Sequence, residues 1–242
     1  MKTFGLLGKN IGYSFSRSFF SEKFKNENLS CEYRNFDIAQ INDVKEILDS
    51  DEIKGLNVTI PYKEEIIHFL DALDPTAKEI GAVNVIKFTA DNKLIGYNSD
   101  HYGFTESLKP LLHSEIKKAL ILGTGGASKA IAYALEQLNI QYSFVSRNPD
   151  FKELHYKDLD EDIIRAYKLI INCTPLGTHP NIYNYPDIPY EFISEKHVLY
   201  DLIYNPEETE FMKKGKERGA TTSNGLQMLI LQAQKGWEIW NS

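Results

Sequence analysis

The chain has 242 residues, 42% hydrophobic and 25% charged, which is enough for one large domain or two small ones of ordinary globular composition. A formal net charge of −7 with no long Lys/Arg run argues against non-specific nucleic-acid binding, and means that an anionic ligand must be held by local donors. Two cysteines, Cys31 and Cys173, lack metal-ligand spacing and cannot form a disulfide framework, which fits a reducing compartment and predicts no metal site.

Strand-like apolar runs alternate with helical patterns from end to end, which predicts the α/β class with a mainly parallel sheet. The apolar run over residues 1–8 is too short for a signal peptide, and no stretch approaches the ~20 apolar residues of a membrane span; the cytoplasm is the expected compartment. Strands are predicted over 3–7, 32–36 and 55–60, with a helix over 16–27 and another through Val44, Ile47 and Leu48. Pro61 ends the third strand, and a helix runs on through Ile66, Ile67 and Leu70. Strands over 84–88 and 94–97 flank Asp91-Asn92, a tight hairpin turn. The pattern then restarts, which places a boundary near 100–103 and gives domains over 1–101 and 102–224. Residues 101–112 read as a connecting helix, 118–122 as a short buried strand, 129–138 as a helix and 142–146 as the next strand. Further strands fall at 169–173 and 198–202, around an irregular stretch rich in Pro and Tyr over 178–190. The last helix, 225–240, carries Leu226, Leu229, Ile230, Ala233 and Trp237 on one face.

Between the strand at 118–122 and its helix lies Gly123-Thr124-Gly125-Gly126-Ala127-Ser128. A dinucleotide pyrophosphate sits at such a turn, cradled by backbone N–H groups and the positive end of the helix dipole. Glycines let the phosphates approach where a Cβ would block them. Ser128 replaces the third glycine of the usual fingerprint, and the bare pattern also suits a tight turn without a ligand. Enzymes that take NAD place an Asp or Glu about 20 residues further on. Here that position reads Ser146-Arg147-Asn148, and the Arg147 guanidinium suits a ribose 2′-phosphate or, failing that, solvent.

Several separated motifs then combine. They are Ser14-Phe15-Ser16, Asn57-Val58-Thr59-Ile60-Pro61-Tyr62-Lys63, Gly81-Ala82-Val83-Asn84 and Asn98-Ser99-Asp100. After the glycine turn come Asn172-Cys173-Thr174-Pro175-Leu176-Gly177, Tyr200-Asp201-Leu202-Ile203-Tyr204 and Asn224-Gly225-Leu226-Gln227-Met228. In this order and spacing, over nearly the whole chain, they resemble the shikimate dehydrogenase family. The resemblance implies a two-domain α/β enzyme: a substrate domain, a Rossmann-like NADP domain, and a last segment, 225–242, that returns to the first. It implies NADP as cofactor and shikimate or 3-dehydroshikimate as the small-molecule partner. Monomer and homodimer both stay open.

The resemblance also implies roles, each of which suits the residue's chemistry. Lys63 and Asp100 match the catalytic pair: ketone reduction needs a proton for the developing alkoxide, and a lysine supplies both charge and proton. Ser14 and Ser16 match the donors to the substrate carboxylate, although Ser16 read alone also suits a helix cap. Thr59 and Tyr204 match further substrate contacts. Asn84 and Gln232 match amides that bind ring hydroxyls; Gln232 read alone is a polar position on the last helix. Gly123, Gly125, Gly126, Ala127, Ser128, Ser146, Arg147 and Asn148 match the cofactor turn and ribose site. Thr174, Leu202 and Gly225 match loops beside the nicotinamide.

The chain departs from the family pattern in places. Arg17 and Phe20 stand where a Pro and a His are usual, and Phe151, beside Lys152, stands where a second basic residue is expected. One basic clamp implies a smaller NADP preference than two. Alternatives of other kinds are a quinate/shikimate dehydrogenase that takes NAD, another two-domain enzyme such as glutamyl-tRNA reductase or methylenetetrahydrofolate dehydrogenase, and a silent dinucleotide-binding sensor. Lys63 and Asp100 argue against the sensor, which has no need of a proton donor.

Overall fold

The N-terminal apolar run forms strand β1 (Lys2–Gly8), buried at every position but Lys2. It lies inside the first of two units in a computed structural model that describes residues 1–12 and 14–242. The first unit is Met1–Tyr102 with Gln232–Ser242, the second Gly103–Leu231.

In the first unit, helix α1 (Phe15–Asn26) leads to β2 (Cys31–Asp37), and a 3-10 turn with the short α2 (Lys45–Leu48) leads to β3 (Ile53–Val58). Both β2 and β3 pair with β1 in parallel. Then follow β4 (Ala72–Leu73), α3 (Pro75–Ile80), β5 (Val85–Phe88) and β6 (Leu94–Tyr97). The sheet order is β2-β1-β3-β5-β6-β4. This sheet is mainly parallel, as expected, with one antiparallel strand: β1–β2, β1–β3 and β4–β6 pair in parallel, while β5 pairs antiparallel with both β3 and β6. The physical reason is the short link between β5 and β6, turned at Asn92 with φ 59, because a crossover to a parallel neighbour needs a much longer connection. One side of the sheet packs Leu7, Leu56, Ile66, Val83 and Ile86. The other packs Phe4, Phe20, Phe24 and Tyr33 against Ala233 and Trp240 of the last helix.

Helix α4 (Asp100–Leu108) carries the chain into the second unit. There β7 (Lys118–Leu122), α5 (Gly126–Gln137), β8 (Gln141–Ser146), β9 (Leu154–His155), α6 (Glu161–Ala166) and β10 (Leu169–Asn172) follow in turn. They are succeeded by β11 (Val198–Asp201), α7 (Glu210–Glu217), β12 (Thr221–Ser223) and α8 (Leu226–Asn241). Every pairing is parallel, in the order β12-β11-β10-β7-β8-β9. Counted from β7 as the first strand, that is 3-2-1-4-5-6 read from β9, the doubly wound order whose switch point lies between β7 and β10. Ile121, Ile131, Leu135 and Tyr200 fill one face, and Leu120, Leu122, Leu199 and Phe211 the other. Among the described residues no helix is long and apolar enough to cross a membrane.

Candidate active site

Lys63 follows β3 and is anchored through its backbone, its carbonyl accepting from the Val83 N–H at 2.8 Å. Its Nζ lies 2.6 Å from Asp100 Oδ2, and the two side chains are only 14% and 9% exposed. A buried ion pair holds only if the remaining lone pairs are satisfied. The second oxygen of Asp100 accepts from Asn84 Nδ2 at 2.8 Å. Asp100 also opens α4, where the helix dipole favours a negative charge. Its own N–H and that of His101 donate to Asn98 Oδ1, while Asn98 Nδ2 donates to the Ala82 carbonyl at 2.9 Å. The motif Asn98-Ser99-Asp100 is thus a capped helix start that aims a carboxylate.

Asn84 is the hub of this cluster. Besides Asp100, its Nδ2 faces Ser99 Oγ at 3.1 Å and Gln232 Oε1 at 3.4 Å, and its Oδ1 accepts from the Ser99 N–H at 2.6 Å. Asn57 Nδ2 reaches the Asn84 carbonyl at 3.4 Å, and Asn57 Oδ1 accepts from the Tyr33 hydroxyl at 2.7 Å. Burial holds the His101 imidazole below its usual range, against an opposing pull from Asp100.

The two serines differ. Ser14 is the N-cap of α1 and accepts from the Arg17 N–H at 3.4 Å, which leaves its own hydrogen for a ligand. Ser16 lies in the first turn, near the Tyr33 hydroxyl. Tyr33 donates its hydrogen to Asn57, so its hydroxyl oxygen can only accept from a nearby donor such as Ser16. Thr59, half-buried, leaves β3 with its N–H donating to the Leu7 carbonyl at 2.9 Å.

The structure therefore joins Lys63, Asn84, Asp100 and Gln232 in one network and puts Ser14, Ser16 and Thr59 in the same unit. Tyr204 lies in the second unit, half-buried, just after β11.

In the second unit Gly123 has φ +100, and an added Cβ there would meet Thr174 Cγ2 at 3.2 Å. Gly125 is the N-cap of α5 without a side-chain cap bond, and nothing lies within 4 Å of a Cβ built on it. An open approach to N–H groups at a helix start fits a pyrophosphate. Gly126 and Ala127 supply those groups. Ser128 is buried, with Oγ donating to the Gly125 carbonyl at 2.6 Å, so its side chain braces the turn. At the end of β8, Ser146 Oγ accepts from the Asn148 N–H at 3.2 Å, and Arg147 is exposed. The donor set of Ser146, Arg147 and Asn148 fits a 2′-phosphate. Thr174 donates through N and Oγ1 to Asn172 Oδ1, at 3.0 and 2.6 Å. Leu202 O would lie 2.1 Å from a Cβ on Gly225, so this close approach requires glycine.

Sequence reasoning assigned no role to Tyr33, Asn57, Asn98, Ser99, Asn172 or Asp201. All but Tyr33 lie inside the quoted motifs, so the motifs themselves were the signal. Tyr33 carried none, because its partners are distant in sequence.

Comparison with known proteins agrees with this architecture. Residues 6–86 match the shikimate dehydrogenase substrate binding domain. A Clostridium botulinum protein named shikimate dehydrogenase (NADP(+)) is 41% identical over 99% of this chain and 96% of its own length. The structure of shikimate dehydrogenase from Aquifex aeolicus superposes with a TM-score of 0.87 at 34% identity, covering 100% of this chain and 92% of that one. The Thermus thermophilus enzyme, solved with NADP(H) and shikimate, gives a TM-score of 0.87 at 29% identity over 99% and 93% of the two chains. With this identity sustained over almost its full length, the chain belongs to the shikimate dehydrogenase family.

Proposed function

We propose that the chain catalyses the reversible, NADP-dependent reduction of 3-dehydroshikimate to shikimate. The observation that carries this is the buried Lys63–Asp100 pair, with Asn84 on the second carboxylate oxygen. NADP fits the open glycine turn and the Ser146-Arg147-Asn148 donor set, and when reduced it supplies hydride to the carbonyl carbon. Lys63 delivers a proton from Nζ to the carbonyl oxygen, which becomes the new hydroxyl, and takes it back in the reverse direction. Asp100 holds that ammonium in place and balances its charge. Asn84 and Gln232 offer amides to the ring hydroxyls. Ser14, Ser16, Thr59 and Tyr204 bind the rest of the substrate, with the serines at its carboxylate. The first unit is the substrate domain and the second the NADP domain. The cytoplasm suits the two free cysteines.

The test is a spectrophotometric assay of shikimate and quinate with NADP and NAD. Shikimate with NADP is expected to give the highest kcat/KM, with quinate much poorer because of its extra ring hydroxyl. Comparable values for shikimate and quinate would reassign the substrate.

A further inference from the structure

Asp201 ends β11 and is fully buried. Its Oδ2 accepts from Thr209 Oγ1 at 2.5 Å. Its Oδ1 accepts from the Ile203 N–H and from Asn172 Nδ2, each at 3.0 Å. Asn172 ends β10, and its other amide atom, Oδ1, receives both donors of Thr174. Asn172 Nδ2 also reaches the Leu176 carbonyl at 3.3 Å. One carboxylate thus ties the loop after β10 to the loop after β11. The Gly225 N–H donates to the Ile203 carbonyl at 3.0 Å, which seats a third segment against the second.

The strand order says what these loops face. The phosphate turn follows β7, and Ser146, Arg147 and Asn148 follow β8 on one side of it. A dinucleotide crossing the turn with its adenosine toward β8 lays its other half toward β10 and β11, beyond the carboxyl ends of those strands. Burying an ionised carboxylate is costly, and an apolar residue of similar shape would suit a purely structural site better. Here every donor to the carboxylate belongs to, or leads into, one of those two loops.

We propose that Asp201 is a positioning residue for the nicotinamide half of NADP, fixing loops 174–177 and 202–209 as one surface. This rests on reading the second unit as an NADP site. The test is to measure dissociation constants for NADPH by its fluorescence, and for 2′,5′-ADP by competition, in the full-length protein. The second probe carries the adenosine and 2′-phosphate but no nicotinamide. Asp201→Ala is expected to weaken NADPH about tenfold and 2′,5′-ADP less than about twofold, a selective loss of roughly 1 kcal/mol. Asp201→Asn keeps the Oδ1 acceptor and is expected to restore NADPH binding.

Equal weakening of both probes, no weakening of either, or failure of Asp201→Asn to restore binding would overturn the proposal. Should Asp201→Ala not fold, Thr209→Val removes one donor to the carboxylate while keeping the branched shape, and the same selective loss decides. If wild type binds neither probe, the NADP reading itself fails and takes this proposal with it.

Discussion

At the residue scale, Lys63 and Asp100 share one short contact, so they are expected to behave as one unit. Lys63→Ala should lower kcat by ~10²–10⁴-fold with little change in KM for shikimate, as for a group needed mainly in the transition state. Asp100→Asn should fall in the same direction, and the double variant should be far from additive. A near-normal kcat in Lys63→Ala would make the lysine a binding residue. The serines separate by their hydrogens. Ser14 has one to give a carboxylate, whereas Ser16 sits near the Tyr33 hydroxyl oxygen, which competes for its hydrogen. Ser14→Ala is expected to raise KM for shikimate by an amount near the ~1.5–3 kcal/mol of a charged hydrogen bond, and Ser16→Ala by less. Equal effects would mean that Ser16 turns away from Tyr33 on binding. This difference could not be read from the motif Ser14-Phe15-Ser16, because it depends on a tyrosine from the next strand.

Asp201 gives a pH prediction of its own. Burial outweighs its hydrogen bonds and pushes its carboxyl up to about 6 from 3.8. The folded state therefore takes up this proton more readily than the unfolded chain. The stabilisation is fully present below 3.8 and is lost as pH rises through about 6. A rise of about two units corresponds to ~3 kcal/mol. The titratable neighbours Cys173 and Tyr190 are each pushed up, mainly by burial and further by the Asp201 charge, and stay neutral across this window. Thermal melts of Asp201→Asn against wild type should thus favour the variant progressively more from pH 4 to just above pH 6 and then level off toward pH 8. A difference that is flat with pH would show that Asp201 titrates as an ordinary carboxyl.

At the element scale, the proposed preference for NADP rests on the end of β8. Arg147 stands exposed beside Ser146 and Asn148 with no acid at the strand end itself, Asp150 following in the loop, and the Arg147 charge opposes the burial that pushes Tyr156 up to about 12. Phe151 projects fully into solvent and adds no second charge. Arg147→Ala is expected to lower kcat/KM for NADP by roughly ten- to a hundred-fold and to leave that for NAD nearly unchanged. An equal fall for both would give Arg147 a loop-bracing role. The central strands were legible as continuous apolar runs, since both faces of each sheet are covered. The hairpin at Asp91-Asn92 was legible from its turn residues. The strands β4, β9 and β12 were not, at two or three residues each on sheet edges. Helix α3 is only six residues long, though Asp74 caps it, Pro75 starts it and Gly81 ends it with φ 70. Helix α7 hides its buried Phe211, Met212 and Gly215 among lysines and glutamates.

At the scale of the whole molecule, the chain leaves its first unit within α4 and comes back within α8, at Gln232. The returning segment brings one candidate site residue, Gln232, and two large core side chains. Trp240 packs its ring 4.9 Å from Phe4 and 5.3 Å from Phe20, and its indole N–H donates to the Ile86 carbonyl at 3.0 Å. Trp240→Ala should cost about 3–5 kcal/mol, the usual loss for a large buried aromatic. Hydrogen exchange should show the loss as weakened protection in β1 and β2, with β7 and β10 unaffected. Equal loss in both sheets would mean that the units unfold together. The same crossing has a consequence during synthesis. Residues 1–102 leave the ribosome first, yet the aromatic cluster under their sheet lacks its tryptophans until all of 103–231 has been made. At ribosomal speed that delay is on the order of ten seconds. Through that interval Phe4, Phe20 and Phe24 pack on one another without the rings of Trp237 and Trp240, while the later-made second sheet completes its core first.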